Sequence, residues 1–357
     1  MVRTFKLFVL LLCWVTSALS AQNKGDHFPV FEKVELASKM NTPAQHQILT
    51  LSDIDLNTYG IHKSTLKQGL LLDLDLESIK AIKAANPQVL ELTIPFPKQS
   101  SKTLHLVRNN VLTHDFVLRQ SSNPNHSVNY AAGLYYTGFV ENNPASLVSI
   151  SIFEDEVIGM IRTAKNNFVI GKLNASNPVK NAPQTNQHLL YKDADLAQPF
   201  ELNCGMEDDG YVYTHKELNY TLSRDVGDCI RVYFEIDDDI VTDKGGTIGA
   251  TNYLTGIMNE VITLYANDDM TMAISEILAW DTPAPYSGSS SAAVLASYEA
   301  NTGAFNGDLS HLVSYQASGG IASGFSGICN PNVDESKCFS SISSSFAPIP
   351  NYSYSVM

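Results

Sequence analysis

Apolar and polar positions change rhythm once along the chain, near residue 200. Before that point the pattern is mostly of period two. Leu70 to Leu76 alternates with Asp73 and Asp75 and predicts a strand. Glu77 to Ala85 carries Ile79 and Ile82 and stops at Asn86-Pro87, which predicts a short helix ended by proline. Strand-like runs follow at 89–94, 103–107 and 116–118. From 133 to 173 the pattern is a meander, with strands at 135–140, 147–153, 157–161 and 168–170 separated by Asn-Asn-Pro, Glu-Asp and Asn-Asn turns. Residues 174–200 are rich in Asn, Pro, Gln and Ala, show little periodicity, and are expected to form an exposed linker.

After residue 228 the elements are longer. Ile230, Val232, Phe234 and Ile236 alternate with Arg231, Tyr233, Glu235 and Asp237, a strand with one buried face. Thr247 to Ala266 repeats apolar groups at helical spacing, with Thr247 as the expected N-cap. Strands are predicted at 272–280, 309–315 and 319–325, and a helix at 291–301 stopping at Gly303. The order β-α-β-α-β-β implies a mixed sheet with helices packed on it, and the whole chain is expected to be α+β.

The N-terminus changes the setting. Arg3 and Lys6 precede the apolar run Leu7–Val15, and Ala18, Ser20 and Ala21 suit signal-peptidase cleavage, so residues 1–21 are expected to be a signal peptide and the product secreted. Leu12 before Cys13 argues against lipidation. No later segment approaches the ~18 apolar residues of a membrane helix, so no membrane anchor is expected. With 357 residues, 44% apolar and 17% charged, the chain has the balance of a folded protein with room for two domains. Its net charge of −14 disfavours nucleic acid as a partner.

Candidate chemistry is sparse. The nine histidines include no pair at i, i+4, so a single-helix zinc site is excluded in these residues. His215 and Glu217 are expected to be a surface pair. No G-x-S-x-G elbow or phosphate loop occurs. The acidic runs 237–239 and 268–269 lack the spacing of a calcium loop and are expected to be solvated.

The residues after 228 nevertheless resemble a known family. Cys229-Ile-Arg-Val-Tyr-Phe-Glu-Ile-Asp, Gly246-Thr-Ile-Gly-Ala-Thr-Asn-Tyr-Leu-Thr-Gly-Ile-Met-Asn-Glu-Val, Ile274-Ser-Glu-Ile with Trp280, Asn306-Gly-Asp-Leu-Ser-His-Leu-Val-Ser and Gly320-Ile-Ala-Ser-Gly-Phe-Ser-Gly-Ile-Cys329 are similar, in order and spacing, to the upper subdomain of bacterial reprolysin-like (adamalysin-type) metzincin zinc metalloproteases. Tyr136-Thr-Gly-Phe-Val through Pro144-Ala-Ser-Leu-Val-Ser-Ile-Ser-Ile-Phe resembles their pro-region. The resemblance implies a β-rich pro-region over 22–200, a connector at 201–227 and the N-terminal part of a metallopeptidase domain at 228–357. It implies a secreted metalloendopeptidase precursor acting on protein or peptide substrates through zinc-activated water.

The H-E-x-x-H-x-x-G-x-x-H helix of that family is absent from the 357 residues, so no catalytic residue can be named and tight zinc is not expected here. The quoted sequence is expected to be cut off before that helix. Two family features do map onto residues. Gly320, Ile321 and Ala322 match the edge strand that pairs with substrate, and Cys204 stands where a pro-region thiolate would take the fourth zinc position. A disulfide competes for Cys204, with Cys229 as one partner. Cys329 and Cys338, nine apart, are compatible with a local bridge. The alternative to a peptidase precursor is a secreted non-catalytic binding or inhibitory protein derived from one.

Overall fold

A computed structural model describes residues 27–173, 186–197, 229–324, 328, 330–342 and 349–350. The expected signal peptide and the whole 201–227 connector, with His215 and Glu217, lie outside them. In chain order the first half contains α1 (Pro29–Met40), β1 (Ala44–His46), β2 (Leu49–Leu51), β3 (Gly69–Leu74), α2 (Leu76–Ala85), β4 (Val89–Phe96), β5 (Gln99–Arg108), β6 (Leu112–Gln120), β7 (Leu134–Val140), β8 (Asn143–Ile152), β9 (Val157–Arg162), β10 (Asn167–Lys172) and β11 (Gln187–Lys192). The second half contains β12 (Ile230–Ile236), α3 (Asp238–Asp243), α4 (Thr247–Ala266), β13 (Met272–Ala279), α5 (Ser291–Asn301), β14 (Leu309–Ser314), β15 (Gly320–Ala322) and β16 (Lys337–Ser341). The class is α+β, as the sequence predicts.

Ten strands of the first half form one mixed sheet in the order β1-β4-β5-β7-β8-β9-β10-β11-β3-β2. The last strand, β2, comes back against β4, so the sheet curls round its concave face. That face is filled by alternate residues such as Leu72, Leu90, Leu104, Val148, Ile170 and Leu190. Helix α2 adds Ile79 and Ile82 to the same cluster. Its start is set by Asp75, whose carboxylate accepts from the Glu77 and Ser78 amides at 3.0 and 3.2 Å, and its end by Asn86 at φ 44° before Pro87.

The second sheet has six strands in the order β15-β16-β14-β12-β13-β6, all parallel except β15. Its outermost strand on one side, β6, comes from the first half. After an irregular start at Leu112 it pairs with β13 as Val117↔Glu276, Leu118↔Ile277, Arg119↔Leu278 and Gln120↔Ala279. Arg119 also reaches Glu276 at 2.8 Å, and Arg231 makes a fork to both Asp115 oxygens at 3.0 Å. Helix α4 lies between the two sheets. One apolar cluster runs from Tyr135, Ile158 and Tyr191 on the outer face of the curled sheet, through Tyr253 and Ile257 of α4, to Phe234 and Ile274 of the second sheet. The two halves predicted from sequence therefore interlock.

Several expectations change. Residues 187–192 are not linker: they form β11, inserted between β10 and β3, with Leu189, Leu190 and Tyr191 buried. Averaged composition hid this strand, because both of its faces are covered and its apolar core is only three residues long. Residues 174–185 lie outside the described residues. Tyr233 and Glu235, expected on a solvent face, are buried at 7% and 2% exposure because α5 and its flanking loops cover that side. Thr247 is the first helical residue rather than the cap. Gly246, at φ 114°, holds the cap position, and the Thr247 hydroxyl accepts from Gln120 Nε2 at 2.8 Å.

Two outcomes follow from this architecture. First, cutting the chain within 201–227 will leave both pieces together in mildly acidic buffer, co-eluting at the mass of the intact chain, because β6 and α4 tie the sheets to one another. Separate elution of two folded pieces would contradict the interlocked core. Second, His188 is buried with Nδ1 donating to the Asn186 carbonyl and Nε2 accepting from the Val157 amide at 2.9 Å each, and burial pulls it down to about 4. A depressed histidine contributes stability above the unfolded value, near 6.5, that is lost as pH falls towards 4. His188→Gln should therefore cost most near neutral pH, with its deficit against wild type closing by about 1.4 kcal/mol per pH unit on acidification. A deficit that stays constant in urea titrations across that range would contradict it.

Candidate functional site

The edge of the second sheet opposite β6 is formed by β15, the strand that the sequence analysis singled out. The chain turns into β15 through Ala317 and Gly319, at φ 56° and 75°, and β15 then runs antiparallel to β16 with Gly320↔Ser340, Ile321↔Phe339 and Ala322↔Cys338. The Ser341 amide donates to Gly319 O at 2.8 Å and the Ser323 amide to Lys337 O at 3.0 Å. In an antiparallel ladder the bonded residues alternate, so Gly319, Ile321 and Ser323 point their amides and carbonyls inward. Gly320 and Ala322 point theirs outward. No strand lies beyond β15 among the described residues, and neither side chain is large enough to screen that edge.

The edge is held rigidly from behind. Ile321 packs against the cluster of Tyr286, Val294, Leu295, Tyr298, Leu312 and Phe339. The turn before β15 is pinned by Ser291, whose hydroxyl donates to Ser318 O at 2.5 Å, and by Gln316, whose Nε2 donates to Asp237 Oδ2 at 2.7 Å. Asp239 accepts from the Tyr315 amide and the Ser314 hydroxyl at 2.9 and 3.0 Å. The acidic run 237–239 is thus not merely solvated loop charge: Asp237 is 1% exposed, and burial lifts its carboxyl to about 6. Beneath the loop lies Glu235, which no sequence motif marked. Its carboxylate accepts from Tyr233 OH and Thr302 Oγ1 at 3.1 Å, from Trp280 Nε1 at 2.7 Å, and from Tyr286 OH. Four donors satisfy this carboxylate and tie β12, the segment after β13 and the end of α5 together.

The other residues singled out by sequence are not brought to this edge as a metal centre. Cys204 and Cys329 lie outside the described residues. Cys338 places its sulfur 3.6 Å from Ser310 O as a donor, and its expected bridge partner, Cys329, is outside the described residues. Its place in the middle of the parallel β14–β16 pair buries the sulfur and pushes the thiol up to about 12. His311, on β14, is stacked on Phe234 with Nε2 at 2.9 Å from Ser340 Oγ, and burial lowers it to about 4. Among the described residues no group of three or more His, Cys, Asp or Glu could hold a metal ion. Likewise, no helix among them is long and apolar enough to cross a membrane.

No protein-family model matches the chain, and no curated protein matches it. Solved structures do: one is metalloproteinase-II from Bacteroides fragilis, with a TM-score of 0.39 and 10% identity over 73% of this chain and 75% of that one. A likeness this loose fixes neither activity nor site.

The buried acid yields a test. Glu235→Gln replaces one acceptor oxygen by an amide that must face two of the four donors, so it should cost about 3 kcal/mol in chemical denaturation and change the emission of Trp280. A change under about 0.5 kcal/mol would show that the network does not support the edge.

Proposed function

We propose that the chain carries the pro-region and the substrate-pairing sheet of a secreted zinc metalloendopeptidase precursor. Residues 22–200 act as its pro-region and β15 as the strand that takes an extended polypeptide. The observation that carries this reading is the sheet itself. A parallel sheet ends in a single antiparallel edge strand whose outward amides and carbonyls, those of Gly320 and Ala322, are left for another chain. The residue resemblance over 229–329 supports the same assignment.

Peptide recognition here is main-chain work. Gly320 and Ala322 each offer one donor and one acceptor, and each bond made contributes about 1 kcal/mol net. The partner is held extended without regard to most of its side chains. Zinc would supply the activated water in a full peptidase, but the described residues do not fit that ion, and no step of hydrolysis is assigned to them. Cys204 is retained in this proposal as the latency thiolate. The same edge supports a second reading, a secreted non-catalytic binding or inhibitory protein, because main-chain pairing at β15 holds an extended partner without any metal.

The test is binding of an unfolded polypeptide, fluorescein-labelled reduced casein, to the intact chain and to Ala322→Pro. Proline at 322 deletes one outward N–H and adds a ring on the open side, while the inward bonds of Ile321 and Ser323 remain. Affinity should fall about tenfold with the melting temperature nearly unchanged. Equal binding by both proteins would move the site away from β15.

A further inference from the structure

Helix α4 carries a stripe that does not belong in a core. Thr247, Thr251, Thr255, Asn259 and Thr263 recur every four residues, in a row that winds slowly round the helix, with Glu260 beside its later turns. On a surface helix such a stripe faces water. Here it is covered by the first half of the chain, and Thr251, Thr255, Asn259, Glu260 and Thr263 are all 0% exposed. Part of the stripe is matched. Asn259 Nδ2 donates to Ser151 Oγ at 3.1 Å and to the Tyr136 and Ile150 carbonyls at 3.2 Å, and Asn109 Nδ2 donates to Asn259 Oδ1 at 2.9 Å. Tyr130 OH donates to Asn252 Oδ1 at 2.9 Å.

The next turn is not matched. Among the described residues, both Glu260 oxygens and Thr263 Oγ1 have no partner, and neither do Thr137 Oγ1 and Ser149 Oγ, which are register neighbours on β7 and β8. A buried polar group left unpaired costs about 1–3 kcal/mol, a penalty that vanishes whenever the face meets water. A covered row of polar groups, partly paired and partly orphaned, calls for a functional explanation.

We infer that the polar stripe of α4 is a releasable docking surface whose occupant is the curled sheet of this same chain, and that the buried, unpartnered Glu260 makes that grip weaken as pH rises. The inference rests on reading residues 22–200 as a pro-region. The groups facing Glu260 supply no counter-charge. Tyr253 on α4 and Tyr191 on β11 sense it and are both buried phenols held above their usual range, chiefly by burial. The nearby strands β7 to β10 contribute Thr137, Ser149, Ser151, Ile158, Met160 and Val169 on this face, none of them charged. Glu156 acts on Tyr253, and Lys244 lies 4.3 Å from the Tyr253 ring but is paired with Asp243 at 2.8 Å. Burial therefore keeps the Glu260 carboxyl well above the usual carboxylate range.

The sign follows from proton counting. Docked, Glu260 keeps its proton. Released into water it loses it above about pH 4.3, so each further pH unit favours release about tenfold until the docked carboxyl itself ionises. Two other titrating contacts cross the same seam: Asp281, which Ser121 and Ser122 bond and whose carboxyl lies below its ordinary value, and His27. His27, before α1, bonds Asp269 Oδ2 and Glu32 Oε1 at 3.0 and 3.1 Å, and these bonds, Asp269 first, hold it above its ordinary value. It too loses grip as pH rises, so its contribution must be removed separately. The Arg119–Glu276 and Arg231–Asp115 ion pairs cross the same seam and are left intact in every variant compared.

The experiment compares wild type, Glu260→Gln and His27→Gln as intact chains, following thermal unfolding and amide exchange of α4 from about pH 5 to about pH 8. Glutamine keeps the shape of the protonated acid. Glu260→Gln should match wild type near pH 5 and protect α4 increasingly better above it, about tenfold per pH unit, whereas His27→Gln should keep most of the wild-type slope. In chains cut within 201–227 and held by the C-terminal piece, the N-terminal piece should wash off faster at the higher pH, and Glu260→Gln should retain it. Parallel curves for wild type and Glu260→Gln would overturn the inference, as would equal wash-off at both pH values. Loss of casein binding at β15, by contrast, would overturn the peptidase reading and leave this result standing.

Discussion

Everything in this molecule depends on α4 being buried on both sides. Its apolar residues join both sheets in one cluster, and Asn259 is buried under β7 and β8 of the curled sheet. The side facing the curled sheet mixes such polar groups with apolar ones, so it is less hostile to water than a purely apolar face. Strand β6 adds a second tie by placing nine residues of the first half on the edge of the second sheet. The connector between the halves is therefore not what holds them together.

This arrangement separates the two edges of the second sheet by role. One edge is closed from within by β6. The other ends at β15, whose neighbours on the inner side are fixed by the Glu235, Asp237 and Asp239 networks and by α5. The rigid backing matters for recognition by main chain. A peptide gains from a preformed ladder only if no order has to be created in the strand that receives it. Buried acids that read as loop charge are the means by which that order is set.

How much of this was legible in the sequence depended on how local its cause was. Helix α2 follows from Ile79, Ile82 and the Asn86-Pro87 stop, all within nine residues, whereas its cap, Asp75, read as part of the preceding strand. The 135–161 meander follows from its turns, and α4 from its period. Strand β11 was missed because Leu189, Leu190 and Tyr191 are buried on both faces and no alternation marks them. The partner of β6 was out of reach, since nothing in Leu112–Gln120 tells that it pairs with residues more than 150 positions away. At the site, the glycines around 320 and the family resemblance located β15, whereas Glu235 looked like the solvent face of an alternating strand. Only the cover provided by Tyr286, Trp280 and Thr302 makes it an interior anchor, and that cover is a tertiary fact.

The claim most exposed to test is that β15 receives a polypeptide through alternate main-chain groups. Amide exchange measured residue by residue, with and without reduced casein, examines it directly. The account predicts that Gly320 and Ala322 become protected on addition of the polypeptide, while Ile321 and Ser323, already bonded to β16, change little. Protection of Ile321 and Ser323 alone, or of none of the four, would contradict it.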